Sequence, residues 1–176
     1  MAVLEPGRTF PTLSLRDADG GPAVLPRGQI LWGFFKTTCP TCELMWPFLD
    51  RLSSMAQRAG TAVVAVSQDD RGETEAFYER LRIDPPTLYD PPPWNASEAV
   101  GLSNVPTLFL VSAEARIRET VEGFQKAKME ELAARFSAES RSGAPAGQSR
   151  ILSARSRVTS ESFFRPGESV PALRPG

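Results

Sequence analysis

The sequence predicts an α/β fold in which helices flank a central mixed β-sheet. Short runs of β-branched and apolar residues alternate with longer segments of helical periodicity along most of the chain. The last two predicted strands follow each other without a helix between them, which indicates an antiparallel pair at one end of the sheet. The 176 residues, 41% of them hydrophobic, are enough for one globular domain with an appendage.

The N-terminal part is predicted to form a β-hairpin. Residues 12–15 alternate as a short strand does, residues 17–21 (DADGG) are a strong turn signal, and residues 23–25 can form the returning strand. The run QILWGFF at 29–35 then has the continuous apolar character of a buried central strand.

A helix is predicted to begin directly after this central strand. Thr38 or Cys39 can cap its N-terminus, and Pro40 suits its first turn because the missing N–H would be unpaired there anyway. Apolar residues three and four positions apart continue this helix to Met55.

The remaining elements follow from the same patterns, with Gly123 ending the last strand. They are a strand at 61–67, a helix at about 73–82, an irregular connection with five prolines at 84–93, strands at 107–111 and 115–121, and a final amphipathic helix at 126–136.

The composition changes after residue 136. Residues 137–176 are rich in Arg, Ser, Pro and Gly and carry six Arg against three Glu, whereas the first 136 residues carry 14 basic and 18 acidic groups. Because residues 137–176 have no sustained helical or strand period, we expect a disordered tail after a folded domain at 1–136.

The cysteine and histidine content restricts the possible chemistry. With no histidine, a Ser–His–Asp triad, a Cys–His nucleophile and a His-ligated catalytic zinc are excluded. With two cysteines, one chain cannot build a four-ligand Cys/His zinc site. We therefore expect thiol chemistry with no cofactor and no metal.

The charge and hydropathy patterns restrict the partners. A net charge of −1 gives no general attraction to nucleic acid, and no apolar run is long enough to span a membrane. The N-terminal residues lack the pattern of a secretory signal, so we expect a cytoplasmic protein, and we expect a monomer.

The chemical motif is Cys39-Pro40-Thr41-Cys42, at the junction of a buried strand and a helix N-terminus. Cys39 is predicted to be exposed at the positive end of the helix dipole, which favours the nucleophilic thiolate. Cys42 lies one turn deeper, where it can resolve a mixed disulfide. A C-x-x-C pair is often half of a zinc site, but the other half is absent here, so a structural disulfide and two unrelated thiols are the alternative interpretations.

Around this motif the sequence resembles the thioredoxin superfamily. Pro47 lies where the active-site helix of this family carries its proline, Val105-Pro106 precedes a strand as the cis-proline loop does, and Gly123 also fits. The N-terminal pattern P-G-x-x-x-P-x-L-x-L resembles the hairpin extension of the redoxin branch, which holds the TlpA/ResA-type oxidoreductases and the AhpC/TSA-type peroxiredoxins. The resemblance covers residues 5–136 and implies a thioredoxin-like fold with an N-terminal β-hairpin extension.

The resemblance also implies a function and a binding site. It implies a thiol–disulfide oxidoreductase that exchanges disulfides with protein or small-molecule thiols and is served by an unknown electron donor. It further implies that the Val105 backbone meets an extended substrate. The expected substrate-binding residues are Thr38, Pro40, Thr41, Val105 and Pro106.

Two departures from the family concern the proton of the buried thiol. Gly33 replaces the buried acid of thioredoxin, and Met45 replaces the Glu that the TlpA/ResA branch often carries. Glu43, Lys36 or a bound partner would have to supply this group. Thr38 also replaces the aromatic residue that commonly precedes the first cysteine.

Two other functions compete with the oxidoreductase. Thiol peroxidases resemble P-x-x-x-T-x-x-C, but this chain has Trp32 in place of the Pro and Lys36 in place of the Thr. A non-catalytic redox-sensing module would use the fold for binding alone. Hydrogen peroxide consumption would identify the first, and partner release on oxidation without turnover would identify the second.

Overall fold

The computed structural model describes residues 2–142. The elements of this part are, in chain order, β1 (Ile30–Phe35), α1 (Pro40–Arg58), β2 (Ala62–Ser67), α2 (Arg71–Leu81), β3 (Thr87–Tyr89), α3 (Asn95–Ala99), β4 (Thr107–Val111), β5 (Ile117–Glu122) and α4 (Lys126–Arg141).

The strands form one mixed sheet in the order β3-β2-β1-β4-β5. β1 pairs in parallel with β2, and β2 in parallel with β3. β4 is antiparallel to β1 and to β5. The predicted mixed sheet with an antiparallel pair at one end is therefore confirmed, and the apolar run before the cysteines is its central strand.

The two faces of the sheet carry separate apolar cores. Because side chains alternate along a strand, Leu31 and Phe35 of β1 pack with α1, α2 and α4, whereas Trp32 and Phe34 pack on the opposite face. The opposite face is covered by the N-terminal segment and α3. Because the side chains on both faces of β1 are buried, its sequence shows no alternation of polar and apolar residues.

The predicted N-terminal hairpin forms only in part. Its turn is present, since Asp17 N–H donates to the Gly21 carbonyl at 2.9 Å and Ala23 N–H donates to the Leu15 carbonyl at 3.0 Å. The flanking residues nevertheless make only an isolated antiparallel bridge between Arg16 and Pro22 and do not form two strands.

The backbone of the N-terminal segment also pairs with the strands at both edges of the sheet. Near its start, Gly7 N–H donates to the Ile117 carbonyl of β5 at 2.8 Å. Near its end, Arg16 and Tyr89 exchange two backbone hydrogen bonds of 2.8 and 2.9 Å at β3. The chain therefore crosses one face of the sheet, and Phe10 packs against Trp32 with ring centroids 5.9 Å apart.

The connection predicted as irregular at 84–93 contains β3, and a short helix, α3, follows it. β3 lies at the edge of the sheet, where prolines on either side of three paired residues are tolerated. Asp90 is buried and accepts the backbone N–H groups of Ala96 and Ser97 at 3.1 and 2.8 Å, which fixes the start of α3.

Several element ends differ from the prediction. α2 begins at Arg71 because Asp70 caps it, and Asp70 forms a capping box with Glu73. β5 begins at Ile117 because Ala115, with φ 56°, belongs to the preceding turn.

α4 reaches Arg141, five residues beyond the predicted end at 136. Gln29 Nε2 lies 3.3 Å from Glu139 Oε2, so the last turn contacts the start of β1. The tail predicted at 137–176 lies outside the described residues from position 143 onward. None of the helices within residues 2–142 has the length and apolar character needed to cross a bilayer.

Candidate active site

The two cysteines lie where β1 ends and α1 begins. β1, β2 and β3 are parallel, so their carboxyl ends lie at the same end of the sheet, and antiparallel β4 starts at this end. Loops after parallel strands converge there, as ligand sites of open α/β sheets do. The loop after β1 carries Cys39, and the loop before β4 carries Val105.

Cys39 is the N-cap residue of α1, with an extended backbone of φ −90° and ψ 114°. The backbone N–H of Cys42 donates to Cys39 Sγ at 3.2 Å. The first N–H groups of a helix have no partner within the helix and carry partial positive charge, so this contact places a hydrogen-bond donor and partial positive charge on the Cys39 sulfur. Of the two predicted caps, Thr38 and Cys39, the structure has Cys39.

Cys39 is half-buried, whereas the sequence predicted an exposed side chain. Its thiol donates to the carbonyl oxygen of Val105, with Sγ and the oxygen 3.5 Å apart. Both side chains pack at the margin of the core on the α1 side of the sheet. The loop before β4 therefore covers part of the sulfur, a contact that cysteine spacing does not reveal.

Cys42 lies one turn further along α1 and is fully buried. Burial raises the pKa of its thiol far above the ordinary value, and a hydrogen bond with the Cys39 side chain raises that pKa further. Both cysteines are free thiols in this structure. The site thus contains two adjacent thiols of different character, one reachable at a helix N-terminus and one shielded beneath it.

The peptide bond between Val105 and Pro106 is cis, as in the loop that the sequence resembled. The Val105 carbonyl faces Cys39, whereas Pro106 is buried. The Thr107 hydroxyl donates to the Asn104 carbonyl at 3.0 Å and so ties the two ends of this loop together. Val105 is consequently the residue of this loop whose backbone contacts the sulfur.

The other predicted site residues surround Cys39. Thr38 and Pro40 are exposed, and Thr41 is half-buried in the first turn of α1. With Val105, they form a rim of small side chains around the reachable sulfur. The fold thus brings all the predicted site residues to one place, although the Pro106 ring lies inside rather than on the rim.

Apolar side chains surround the two positions, 33 and 45, at which the resemblance leads one to expect an acidic residue. A Cβ at Gly33 would lie 3.1 Å from methyl carbons of both Leu49 and Leu108, so a carboxylate has no space there. Met45 is fully buried in the apolar core. Loss of these acids is therefore accompanied by closely packed hydrophobic side chains beneath the thiols.

The two charged residues that the sequence offered instead are engaged elsewhere. Glu43 pairs with Arg80 at 3.4 Å, and both side chains are about half exposed. The Lys36 ammonium lies over the Trp94 ring, 5.1 Å from its centroid.

Asp69, in the loop after β2, is a site residue that sequence reasoning missed. Its Oδ2 accepts the Thr37 backbone N–H at 2.6 Å, so it holds the loop that leads into Cys39. Its negative charge also contributes to the raised pKa of the Cys42 thiol. Asp69 further lines a cavity of about 430 Å³ that extends to Arg16 and Tyr89. Its place after a parallel strand beside β1 was the available signal.

The two tryptophans considered for a substrate surface have different positions. Trp46 is fully buried, with its ring centroid 4.3 Å from that of Phe35, and belongs to the core. Trp94 is 40% exposed at the site edge, and its indole N–H donates to the Gln68 carbonyl at 3.1 Å. In the part of the chain that the structure describes, no three Cys, Asp or Glu side chains cluster as a metal ion would require.

A family model matches residues 6–120, more than half of the chain, and describes the AhpC/TSA family. Among curated proteins, the thiol-disulfide oxidoreductase ResA of Geobacillus thermodenitrificans (strain NG80-2) is 27% identical over 121 residues. The matched part covers 66% of this chain and 69% of that protein.

Solved structures of two kinds share the fold. A protein from Chlorobium tepidum assigned as the thiol:disulfide interchange protein DsbE matches with a TM-score of 0.67 and 22% identity over 78% of this chain and 99% of that chain. Peroxidoxin BcpB from Mycobacterium tuberculosis matches with a TM-score of 0.61 and 19% identity over 79% of this chain and 97% of that chain. The predicted thioredoxin-like fold is therefore confirmed, as is the assignment to the redoxin branch.

Proposed function

Because this chain belongs to the AhpC/TSA family, we propose that it is a thiol–disulfide oxidoreductase in which Cys39 is the nucleophile and Cys42 the resolving thiol. One observation carries the proposal: the helix N-cap sulfur of Cys39 receives the Cys42 N–H at 3.2 Å, while the Cys42 side chain is buried behind it. This difference supports a mechanism in which the two steps of disulfide exchange use different sulfurs.

The reaction proceeds by two substitutions at sulfur. The Cys39 thiolate attacks one sulfur of a substrate disulfide, the substrate S–S bond breaks, and the departing thiolate takes up a proton. Cys42 then loses its proton and attacks Cys39 Sγ of the mixed disulfide, which releases the second substrate thiol. Two electrons pass from the dithiol to the substrate, and an external dithiol returns them.

Extended substrate fits between the Val105 loop and the first turn of α1. The Val105 carbonyl is 3.5 Å from the reactive sulfur and can accept a substrate backbone N–H once the Cys39 thiol is ionised. Thr38, Pro40 and Thr41 form the opposite wall of this position. The small rim admits a polypeptide disulfide as well as a small-molecule disulfide.

The local geometry supports the oxidoreductase over the peroxidase. Trp32 replaces the proline of the peroxidase pattern and is buried against Phe10 on the far face of the sheet. Lys36 replaces the threonine and lies over Trp94. The curated relative ResA supports the same choice, whereas peroxidoxin BcpB shares the fold alone.

Partners and compartment stay predictions. The proposed partners are polypeptide or small-molecule disulfides and an external dithiol donor, and the proposed working form is a monomer. The cytoplasm, expected from the sequence, is the proposed compartment, and cell fractionation with an antibody would test it.

A redox titration of the thiol pair tests the function. The protein is equilibrated in dithiothreitol buffers of graded potential, and free thiols are then labelled. We expect a reversible two-electron transition that forms a Cys39–Cys42 disulfide, with Cys39 labelled faster in the reduced protein. Absence of this disulfide at every potential would contradict the proposed function and favour the binding module. Hydrogen peroxide consumption at a rate above that of disulfide exchange would favour the peroxidase.

A further inference from the structure

Trp94 is an exposed aromatic residue that the fold holds in a fixed position. Within the described residues, it and Val24 are the large apolar side chains that stand exposed. A hydrogen-bond network that leads from the surface to a buried carboxylate anchors it: its indole N–H donates to the Gln68 carbonyl at 3.1 Å, and Gln68 Nε2 donates to Ser97 Oγ at 2.7 Å. Ser97 in turn donates to the buried carboxylate of Asp90 at 2.6 Å. An ordered exposed indole on such a scaffold is suited to binding a partner group.

Lys36 couples this ring to the reactive thiol. Its ammonium lies 5.1 Å from the Trp94 ring centroid, within the range of a cation–π contact. The Lys36 backbone carbonyl accepts the Cys39 N–H at 3.3 Å, so the ring and the sulfur are joined through one short loop. The Trp94–Lys36 pair therefore lies beside the loop that carries Cys39.

The sheet order places this pair and Val105 on opposite sides of Cys39. Val105 precedes β4, which flanks β1 on one side, whereas Trp94 follows β3 and contacts Gln68 after β2 on the other side. A polypeptide that lies across Cys39 can span both sides of the sulfur, from the Val105 loop to the Trp94 ring. A small-molecule disulfide does not extend that far.

Resting on the function proposed above, we propose that Trp94 and Lys36 form a recognition platform for polypeptide disulfides that carry an acidic side chain beside the reactive cysteine. The Lys36 ammonium supplies charge complementarity to a carboxylate, and the indole supplies an apolar surface for the stem of the same side chain. The platform sets which polypeptide disulfides are favoured, while Cys39 and Cys42 do the chemistry.

Matched substrates test this platform in the full-length protein. Two peptides share one disulfide and differ only in Glu or Lys beside the reactive cysteine, and hydroxyethyl disulfide is the small substrate. We expect kcat/KM for the Glu peptide to exceed that for the Lys peptide by roughly fivefold at low ionic strength, and we expect added salt to reduce the ratio. Lys36→Gln should bring this ratio close to one, whereas Lys36→Arg should keep it.

Further variants distinguish recognition by the platform from the effect of removing a positive charge elsewhere in the protein. Trp94→Ala should also lower the ratio, and Trp94→Phe should retain most of it because the aromatic face remains. Lys128→Gln removes the same charge on distant α4 and should leave both the ratio and the rate unchanged. Equal kcat/KM for the two peptides with wild-type protein, or an unchanged ratio in Lys36→Gln, would overturn the platform alone. If the protein reduced none of the three disulfides, the proposed function on which the platform rests would be overturned.

Discussion

The sulfur of Cys39 lies 3.5 Å from the carbonyl oxygen of Val105, although the two residues are 66 positions apart in the chain. The same sulfur accepts the Cys42 N–H at 3.2 Å. When Cys39 ionises, the bond from the Cys42 N–H strengthens, whereas the bond to Val105 is lost because a thiolate has no proton to donate. In the proposed mechanism, ionisation of Cys39 thus frees the carbonyl that would accept the backbone N–H of an incoming substrate.

Substitution of each cysteine by serine should distinguish the roles of the two thiols. In Cys42→Ser, Cys39 can still attack but no second thiol releases the product, so we expect a stable mixed disulfide with a peptide or with hydroxyethyl disulfide. In Cys39→Ser, we expect loss of exchange by at least about a hundredfold, because the remaining thiol is buried and its pKa is raised. Mass spectrometry of the trapped adduct and the rate of disulfide reduction are the two measurements. A mixed disulfide on Cys42 in the Cys39→Ser variant would reverse the assignment of roles.

The buried thiol should make the stability of the reduced protein depend on pH. In the unfolded chain the Cys42 thiol ionises near 9.0, whereas burial raises its pKa in the folded protein, so the folded state keeps a proton that the unfolded state loses. The free energy of unfolding should therefore be unaffected by Cys42 below about pH 8. Above about pH 9 it should fall by about 1.4 kcal/mol per pH unit on account of this group.

Urea unfolding under reducing conditions between pH 7 and 10.5 measures this dependence, with Cys42→Ser as the control. Alkaline groups that do not contact Cys42 titrate alike in both proteins, so the difference between the two slopes reports Cys42 together with the Cys39 thiol that contacts it. Identical pH dependence in the two proteins would show that the thiol ionises equally in the folded and unfolded states.

Most of the fold could be predicted because its strongest signals are local. The apolar run of β1, the Pro40 helix start and the strand at β4 each reflect burial or capping within a few residues. β3 could not be predicted because a three-residue edge strand between prolines carries no periodicity and depends on pairing with β2. The N-terminal hairpin prediction was wrong in extent: the chain pairs with itself only next to the turn, and the Arg16 backbone groups that face away from the turn pair with Tyr89 across a long sequence distance.

The candidate site also has residues that the sequence could predict and residues that it could not. Cys39 and Cys42 could be found from the motif, and Val105 from the resemblance to the cis-proline loop of the thioredoxin superfamily. Asp69 could not, because its role depends on a 2.6 Å contact with a backbone N–H 32 positions away. The exposure of Trp94 was also beyond the sequence, since Trp46 has the same chemistry and is buried.

Asp69 should act as a positioning residue for the loop that carries Cys39. Asp69→Ala removes the acceptor of the Thr37 N–H, and we expect a loss of about 1–2 kcal/mol in stability together with a lower kcat/KM for hydroxyethyl disulfide. Asp69→Asn keeps an oxygen acceptor and should recover part of both. Denaturant unfolding and steady-state kinetics provide the comparison. Wild-type behaviour of Asp69→Ala would show that the loop is held without this carboxylate.

The last turn of α4 should belong to the folded domain, so the boundary expected at 136 should shift to about Ser142. Phe136 is fully buried, and beyond it Glu139 lies 3.3 Å from the Gln29 side chain at the start of β1. A chain that ends at residue 136 leaves the carbonyls of its final turn unpaired and lets Phe136 fray into water. Compared with a chain that ends at Ser142, it should lose at least about 1 kcal/mol, roughly 3–5 °C in Tm.

Glu139→Ala in the chain that ends at Ser142 distinguishes the stability contributed by the contact with Gln29 from that contributed by the helical turn. We expect this variant to lose only a few tenths of a kcal/mol, because the pair is partly exposed and the turn remains. Thermal unfolding of the three proteins under reducing conditions decides the boundary. Equal Tm values for the chains that end at 136 and at 142 would place the boundary at 136, since the additional turn would then add no stability to the fold that holds the two cysteines.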